Sequence, residues 1–281
     1  MFINYNGKFF DKNIPIIQAG NRSLRYGDGL FETILCLNGK PVLLDEHLSR
    51  LWNGLKLLEF EIPKLFNPDS IEKEIISLSK KNKLKHARIR LSIFRGNGGL
   101  YDPENLYPNF LIESFPLENP TSALNSNGLH CGIYRNSKKM ADQFSPIKHN
   151  NFLPYILAAL FAKKQKWNDA ILLNQFGNIC DSTIANVFVV KNNTVYTPPI
   201  SDGCIAGIMR QVVIQTLAQS DYPLIESSIS PEFILEAEEV FFTNSIKILQ
   251  WVASIDSREY GCTETIKIFE LLKQTNPSLF C

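Results

Sequence analysis

Two Asn-Gly dipeptides, each set between short apolar runs, constrain the fold more than any other feature of this chain. Asn6-Gly7 separates FINY from KFF, and Asn38-Gly39 separates Phe31–Leu37 from Pro41–Leu44. Both positions of such a two-residue loop need positive φ, which asparagine and glycine tolerate, and the resulting turn matches the twist of paired strands. Antiparallel hairpins are therefore expected early in the chain, with helices between them. Asp45 reads as an N-cap with Glu46 behind it. Leu48, Leu51, Trp52, Leu55 and Leu58 follow at helical spacing and give one apolar face. A second amphipathic helix is predicted from Pro68-Asp69-Ser70, carrying Ile71, Ile75 and Leu78. Strands are predicted around Ala87–Phe94 and Phe110–Phe115, with the turn-rich stretch Arg95–Pro108 between them.

Residues 116–128, PLENPTSALNSNG, hold two prolines and little apolar pattern. A linker over 119–128 is thus expected to divide a smaller α+β domain, residues 1–118, from a larger one, residues 129–281. In the larger part, strands are predicted near Leu129–Tyr134, Ala170–Leu173, Val187–Val190, Leu224–Glu226 and Glu239–Thr243. Helices are predicted at about Phe152–Trp167, Ile208–Gln219 and Glu264–Lys273. The fold class expected is α+β with two lobes, and a cleft between lobes is a common place for a small-molecule site.

Composition removes several functions. Lys+Arg number 29 against 28 Asp+Glu, so there is no basic surplus to suit nucleic acid. No apolar stretch approaches the ~20 residues that span a bilayer. The amino terminus lacks the basic start and apolar run of a signal peptide. Cys36, Cys131, Cys180, Cys204, Cys262 and Cys281 are scattered, without C-x-x-C pairs or histidines at ligand spacing. Reduced thiols in the cytoplasm, and no metal site, are the plain reading.

Few residues invite chemistry. Lys148, in SPIKHNNFL, sits after apolar Ile147 at the mouth of a predicted helix. A loop lysine is ordinarily a solvated charge, but one held beside apolar groups has its charged form disfavoured and its amine freed for Schiff-base chemistry. Asp181, in NICDSTIANVFVV, is either a turn residue or a carboxylate able to keep a pyridine nitrogen protonated. The stretch GCIAGIMRQ at 203–211 enters a helix through glycines, and backbone amides at a helix start bind phosphate. Arg50 is placed on the exposed side of its helix, where a fork-shaped donor would suit phosphate but a surface charge is the ordinary reading. RGNGGLY at 95–101 has neither Walker nor G-x-G-x-x-G spacing. His47 reads as a structural helix residue, and among the histidines His149 alone has a reason to lie near chemistry.

Five segments in order resemble the class IV aminotransferase family, the fold-type IV enzymes of pyridoxal 5′-phosphate (PLP). They are RSLRYGDGLFETILCLNGKPVLLDEHLSRL at 22–51, IKHNNFL at 147–153, DSTIANVFVV at 181–190, YTPPISDGCIAGIMR at 196–210 and EVFFTNSI at 239–246. The family includes branched-chain aminotransferases, D-amino acid aminotransferases and aminodeoxychorismate lyases. The resemblance implies that Lys148 is the PLP lysine and Arg50 a phosphate ligand. It further implies that the backbone at Ile208 and Met209 and the hydroxyl of Ser245 complete the phosphate cup, and that Ile205 packs on the ring. Phe31 and Phe152 stand where relatives often carry tyrosine. The ring-nitrogen partner, usually glutamate, is here Asp181, one methylene shorter, so the ring shifts slightly or a water fills the gap. RGNGGLYDPEN offers neither the Arg-x-His of D-amino acid enzymes nor the Tyr-x-Arg of many branched-chain enzymes. With IKH and GIMRQ it is most like aminodeoxychorismate lyase. A transaminase acting with a 2-oxo acid is the alternative, and a PLP-fold relic without turnover a third reading. Arg95, Tyr101 and Arg135 are candidates for a substrate carboxylate by location. A small amino substrate and a homodimer are also implied.

Overall fold

The computed structural model describes residues 1–118, 120 and 123–280. Residues 119, 121 and 122 of the expected linker, and Cys281, lie outside the described residues. The chain divides into two compact units. One comprises Met1–Pro120 with Ile147–Asn151, the other Thr121–Pro146 with Phe152–Cys281.

The first unit contains β1 (Phe2–Tyr5), β2 (Lys8–Asp11), α1 (Arg22–Tyr26), β3 (Gly29–Leu37), β4 (Lys40–Pro41), α2 (Leu44–Leu57), α3 (Pro68–Lys81), β5 (Ala87–Phe94) and β6 (Asn109–Pro116). Both Asn-Gly hairpins form as expected. Tyr5 pairs with Lys8 across Asn6 and Gly7, at φ 49° and 80°, and Leu37 pairs with Lys40 across Asn38 and Gly39, at φ 51° and 76°. The strands join in the antiparallel order β2-β1-β6-β5-β3-β4. The predicted apolar faces of α2 (Leu48, Leu51, Leu55) and α3 (Ile71, Ile75, Leu78) bury against Ile34, Ile89, Leu91 and Ile93 of the sheet. The start of α2 differs from expectation, while α3 starts at Pro68 as expected. Asp45 is not the N-cap of α2: the tight exit from β4 puts Leu43 there at φ 51°, without a side-chain cap, and leaves Asp45 in the first turn. The cap of α3 is Asn67, which accepts from Ser70 N while Ser70 Oγ accepts from Asn67 N.

The second unit contains β7 (Leu129–Lys139), α4 (Leu153–Gln165), β8 (Asp169–Asn174), β9 (Ile179–Ser182), β10 (Asn186–Lys191), β11 (Thr194–Thr197), α5 (Ile208–Ala218), β12 (Leu224–Glu226), α6 (Pro231–Leu235), β13 (Glu239–Asn244), β14 (Ile248–Ile255), β15 (Arg258–Glu259) and α7 (Thr263–Thr275). Its sheet runs β12-β11-β10-β13-β14-β7-β8-β9, with β15 on β14. The β11–β12, β14–β7 and β7–β8 pairs are parallel and the rest antiparallel. Strands β8, β9 and β10 are buried almost throughout, and apolar clusters line both faces. This burial on both sides explains why β8 and β10 read as continuous apolar runs rather than alternating ones. Helices beside two separate sheets make the α+β architecture the sequence predicts.

Candidate active site

In the first unit, residues 147–151 run beside β3. Phe31 N donates to Lys148 O at 2.9 Å, Asn150 N donates to Gly29 O at 2.9 Å, and Leu30 and His149 form an antiparallel bridge. Ile147 joins the core of that unit, so the backbone carrying Lys148 is fixed on both sides of the lysine. Lys148 itself is half-buried, with Nζ 4.6 Å from the centre of the Phe31 ring. The guanidinium of Arg90 lies 3.9 Å from the same ring centre. Burial, opposed by Glu113, lowers the Arg90 pKa.

The next residue of β3, Glu32, is an acid in an otherwise buried strand, 1% exposed. Arg50 Nε donates to Glu32 Oε1 at 2.8 Å and Nη2 to Oε2 at 2.5 Å, while His47 Nδ1 donates to Oε2 at 2.7 Å. Burial opposes ionisation of Glu32, but the charges and hydrogen bonds of Arg50 and His47 outweigh it and hold its pKa at about 2. Arg50 is therefore not on an exposed helix side: its side chain is 11% exposed and oriented by a bidentate carboxylate. His47 carries more than helix packing, because it completes that triad. An acid inside the apolar run of β3, with His47 and Arg50 three apart on the next helix, was the available signal for the group.

In the second unit the structure gathers Asp181 with Ile205, Ile208 and Met209. Asp181, 2% exposed on β9, accepts four hydrogen bonds. Oδ2 takes Tyr155 OH at 2.7 Å, Lys139 Nζ at 3.0 Å and Ile205 N at 3.1 Å, and Oδ1 takes Asn186 Nδ2 at 3.0 Å. Asn186 Nδ2 also donates to Ile205 O at 2.8 Å. A Cβ on Gly207 would lie 1.8 Å from Asn186 Oδ1, so only glycine allows this approach. Asn186 thus connects the carboxylate to the start of α5, and sequence reasoning did not single it out. Burial and the Asp181 charge push the Tyr155 phenol well above its ordinary range, so it remains a donor.

Helix α5 begins after Gly207 with no side-chain cap, and Ile208, Met209 and Arg210 form its buried first turn. Beside it, Thr243 of β13 pairs in register with Asn186 and keeps a buried hydroxyl without a hydrogen-bond partner. Ser245 lies two residues further on, half-buried in the turn to β14. An uncapped helix start, a glycine that cannot carry a side chain and an orphaned hydroxyl fit an anion such as phosphate. A buried carboxylate next door fits a protonated ring nitrogen. The donor set therefore suits PLP, and Lys139, Tyr155 and Asn186 are the partners of Asp181 that the sequence did not reveal.

The carboxylate candidates fare differently. Arg95 donates from Nη1 to Asp28 Oδ1 at 2.5 Å and from Nη2 to Leu58 O, and its guanidinium lies 4.1 Å from the Phe60 ring centre. It is a buried structural residue, 7% exposed. Tyr101 is 88% exposed, with its carbonyl held by Arg22. Arg135 is exposed on β7. Cys180 and Cys204 are buried thiols, as expected.

Residues 29–255 match the model of the amino-transferase class IV family. A protein of Methanocaldococcus jannaschii named as a branched-chain-amino-acid aminotransferase is 30% identical over 277 residues, covering 98% of this chain and 94% of the relative. An aminodeoxychorismate lyase of Vibrio harveyi is 28% identical over 86% of this chain and 89% of its own. The crystal structure of a branched-chain aminotransferase from Thermoproteus uzoniensis superposes with a TM-score of 0.88 at 25% identity, covering 99% of this chain and 97% of that one.

Proposed function

The chain belongs to the class IV aminotransferase family of PLP enzymes, and from that premise we propose that it is an aminodeoxychorismate lyase, releasing 4-aminobenzoate and pyruvate. Bound PLP supplies an electron sink for the carbon that bears the substrate nitrogen. Lys148 would hold the cofactor, and its amine would move the proton at that carbon. Asp181 holds a proton at the ring nitrogen. By the family resemblance, Arg50, the first-turn amides of Ile208 and Met209, and the Ser245 hydroxyl would hold the phosphate, and Ile205 would pack on the ring. The observation that carries the cofactor reading is the joining of Asp181 to the uncapped start of α5 through Asn186.

What favours the lyase is the RGNGG turn. Its one arginine, Arg95, is committed to Asp28 and Leu58, so this turn supplies no side-chain cation for an amino acid carboxylate. A second reading, amino transfer to a 2-oxo acid, is supported by the length and identity of the match to relatives named for that activity. The homodimer belongs to the same proposal. The exposed apolar residues Leu153, Ile156 and Leu160 of α4 support it.

The test incubates PLP-loaded protein with aminodeoxychorismate and follows both products, while a panel of L- and D-amino acids with 2-oxoglutarate or pyruvate is scanned for amino transfer. Equimolar 4-aminobenzoate and pyruvate, lost in Lys148→Ala, are expected. Amino transfer without that release would refute the lyase.

A further inference from the structure

Lys139 is among the most deeply buried charges of the protein, 6% exposed, and the proposed chemistry has no use for it. It sits at the end of β7, two strands away from Asp181, with β8 between them. What brings the two together is an irregularity. Tyr134 of β7 pairs with Leu172, but the next residue of β8, Leu173, pairs with Lys138, so residues 135–137 are accommodated without partners on β8. A strand irregularity of this kind re-aims the side chains beyond it. Lys139 Nζ reaches Asp181 Oδ2 at 3.0 Å, contacts Ser145 O at 3.4 Å and lies 5.1 Å from the centre of the Tyr155 ring.

Asp181 does not need this lysine for hydrogen bonding alone, since Tyr155, Ile205 and Asn186 already donate to it. Burying an ammonium is costly, and an ion pair returns that cost only in part. The pair instead changes the charge of the group. The other titratable neighbours stay uncharged: the Tyr155 phenol is pushed up by burial and the Asp181 charge, as is the Cys180 thiol, and burial and Asp181 raise the Cys204 thiol to about 12. Arg210, on α5, is held by Glu226 and by Pro198 O. Lys139 is thus the charge that balances Asp181. Lys139, Tyr155 and Ile205 together saturate Oδ2, leaving Oδ1, which accepts from Asn186, as the oxygen able to take another donor.

We infer that Lys139 is a positioning residue for the cofactor's ring nitrogen, presenting it with a neutral Lys139–Asp181 pair through Oδ1 instead of a lone carboxylate. The inference rests on the proposal that Asp181 meets that nitrogen. A paired carboxylate attracts the ring-nitrogen proton less, so the nitrogen releases it at lower pH than beside an unpaired one.

The experiment loads full-length protein with PLP carrying ¹⁵N in the ring and follows the nitrogen resonance against pH, in wild type, Lys139→Met and Asp181→Asn. Removing the ammonium is expected to raise the titration midpoint by about one to two pH units, ten- to a hundredfold in proton affinity. Asp181→Asn is expected to lower it. A midpoint that moves in Asp181→Asn but not in Lys139→Met overturns the inference and leaves Asp181 in place. Midpoints that coincide in all three proteins overturn the assignment of Asp181 itself. Wild type alone gives a second reading that survives a misfolded variant, through binding of the 1-deaza analogue of PLP, whose ring has no nitrogen. A loss of about tenfold or less relative to PLP is expected for a bond to a neutral pair. A larger loss, as a lone buried carboxylate would give, overturns the inference.

Discussion

Replacing Glu32 by glutamine tests the first-unit triad most directly. The substitution keeps shape and volume but removes the charge that Arg50 and His47 share. Glu32 is 1% exposed, and its pKa is held from 4.5 down to about 2. A depression of about two and a half pH units corresponds to about 3 kcal/mol favouring the ionised, paired form at neutral pH. Loss of one member of a buried ion pair elsewhere costs ~3–5 kcal/mol, so the two routes agree. Because the folded pKa lies below the unfolded one, this stability is fully present above pH 4.5. It drains away as pH falls through about 2. Glu32→Gln is therefore expected to be about 3 kcal/mol less stable than wild type at pH 7, with the gap closing steadily between about pH 4.5 and pH 2. Urea denaturation across that range measures the gap, and hydrogen exchange of the peptide 44–57 from α2 shows that the loss lies in the first unit. A gap below about 1 kcal/mol at pH 7, or one that stays constant on acidification, would refute the argument.

Arg50→Met is expected to weaken PLP binding by about ten- to a hundredfold, the worth of a charged hydrogen bond, and fluorescence titration of the cofactor measures it. Gly207→Ala forces a Cβ to within 1.8 Å of Asn186 Oδ1. It should cost about 1–3 kcal/mol in urea denaturation and weaken phosphate binding at the start of α5, while unchanged stability would show that the approach relaxes freely. Asn186→Ala removes the bonds to Asp181 Oδ1 and Ile205 O together and should destabilise by about 2 kcal/mol in the same assay.

Local chemistry made much of the fold readable. The Asn-Gly turns need nothing beyond their own φ angles, and the faces of α2 and α3 follow from spacing alone. The strand predicted at Ala87–Phe94 has those bounds in the structure. The cap of α2 was harder, because capping depends on the direction from which the chain arrives. Leu43 at φ 51° follows from the exit of β4, which no propensity of Asp45 could override.

The site divides along the same line. Lys148, Arg50 and Asp181 could be proposed because resemblance supplies their positions, yet their surroundings are set by contacts distant in sequence. Glu32 lies 18 residues from Arg50, and Lys139 lies 42 from Asp181. A periodicity argument places Arg50 on the polar side of α2 and so reads it as exposed. It cannot know that β3 sets a carboxylate against that side. Lys139 is hidden more deeply still, since its aim depends on where β7 loses register with β8. The two arginine and lysine sites share one physical design. In each, a basic side chain is drawn out of water by a buried acid, and the acid in turn accepts from more donors than one base supplies. Such groups hold a fixed charge and a fixed geometry before any ligand arrives, so binding energy is not consumed in assembling them. In this design the shorter aspartate at 181 works with its surroundings: its donors span Tyr155, Lys139, Ile205 and Asn186 and leave only one acceptor direction open, at Oδ1.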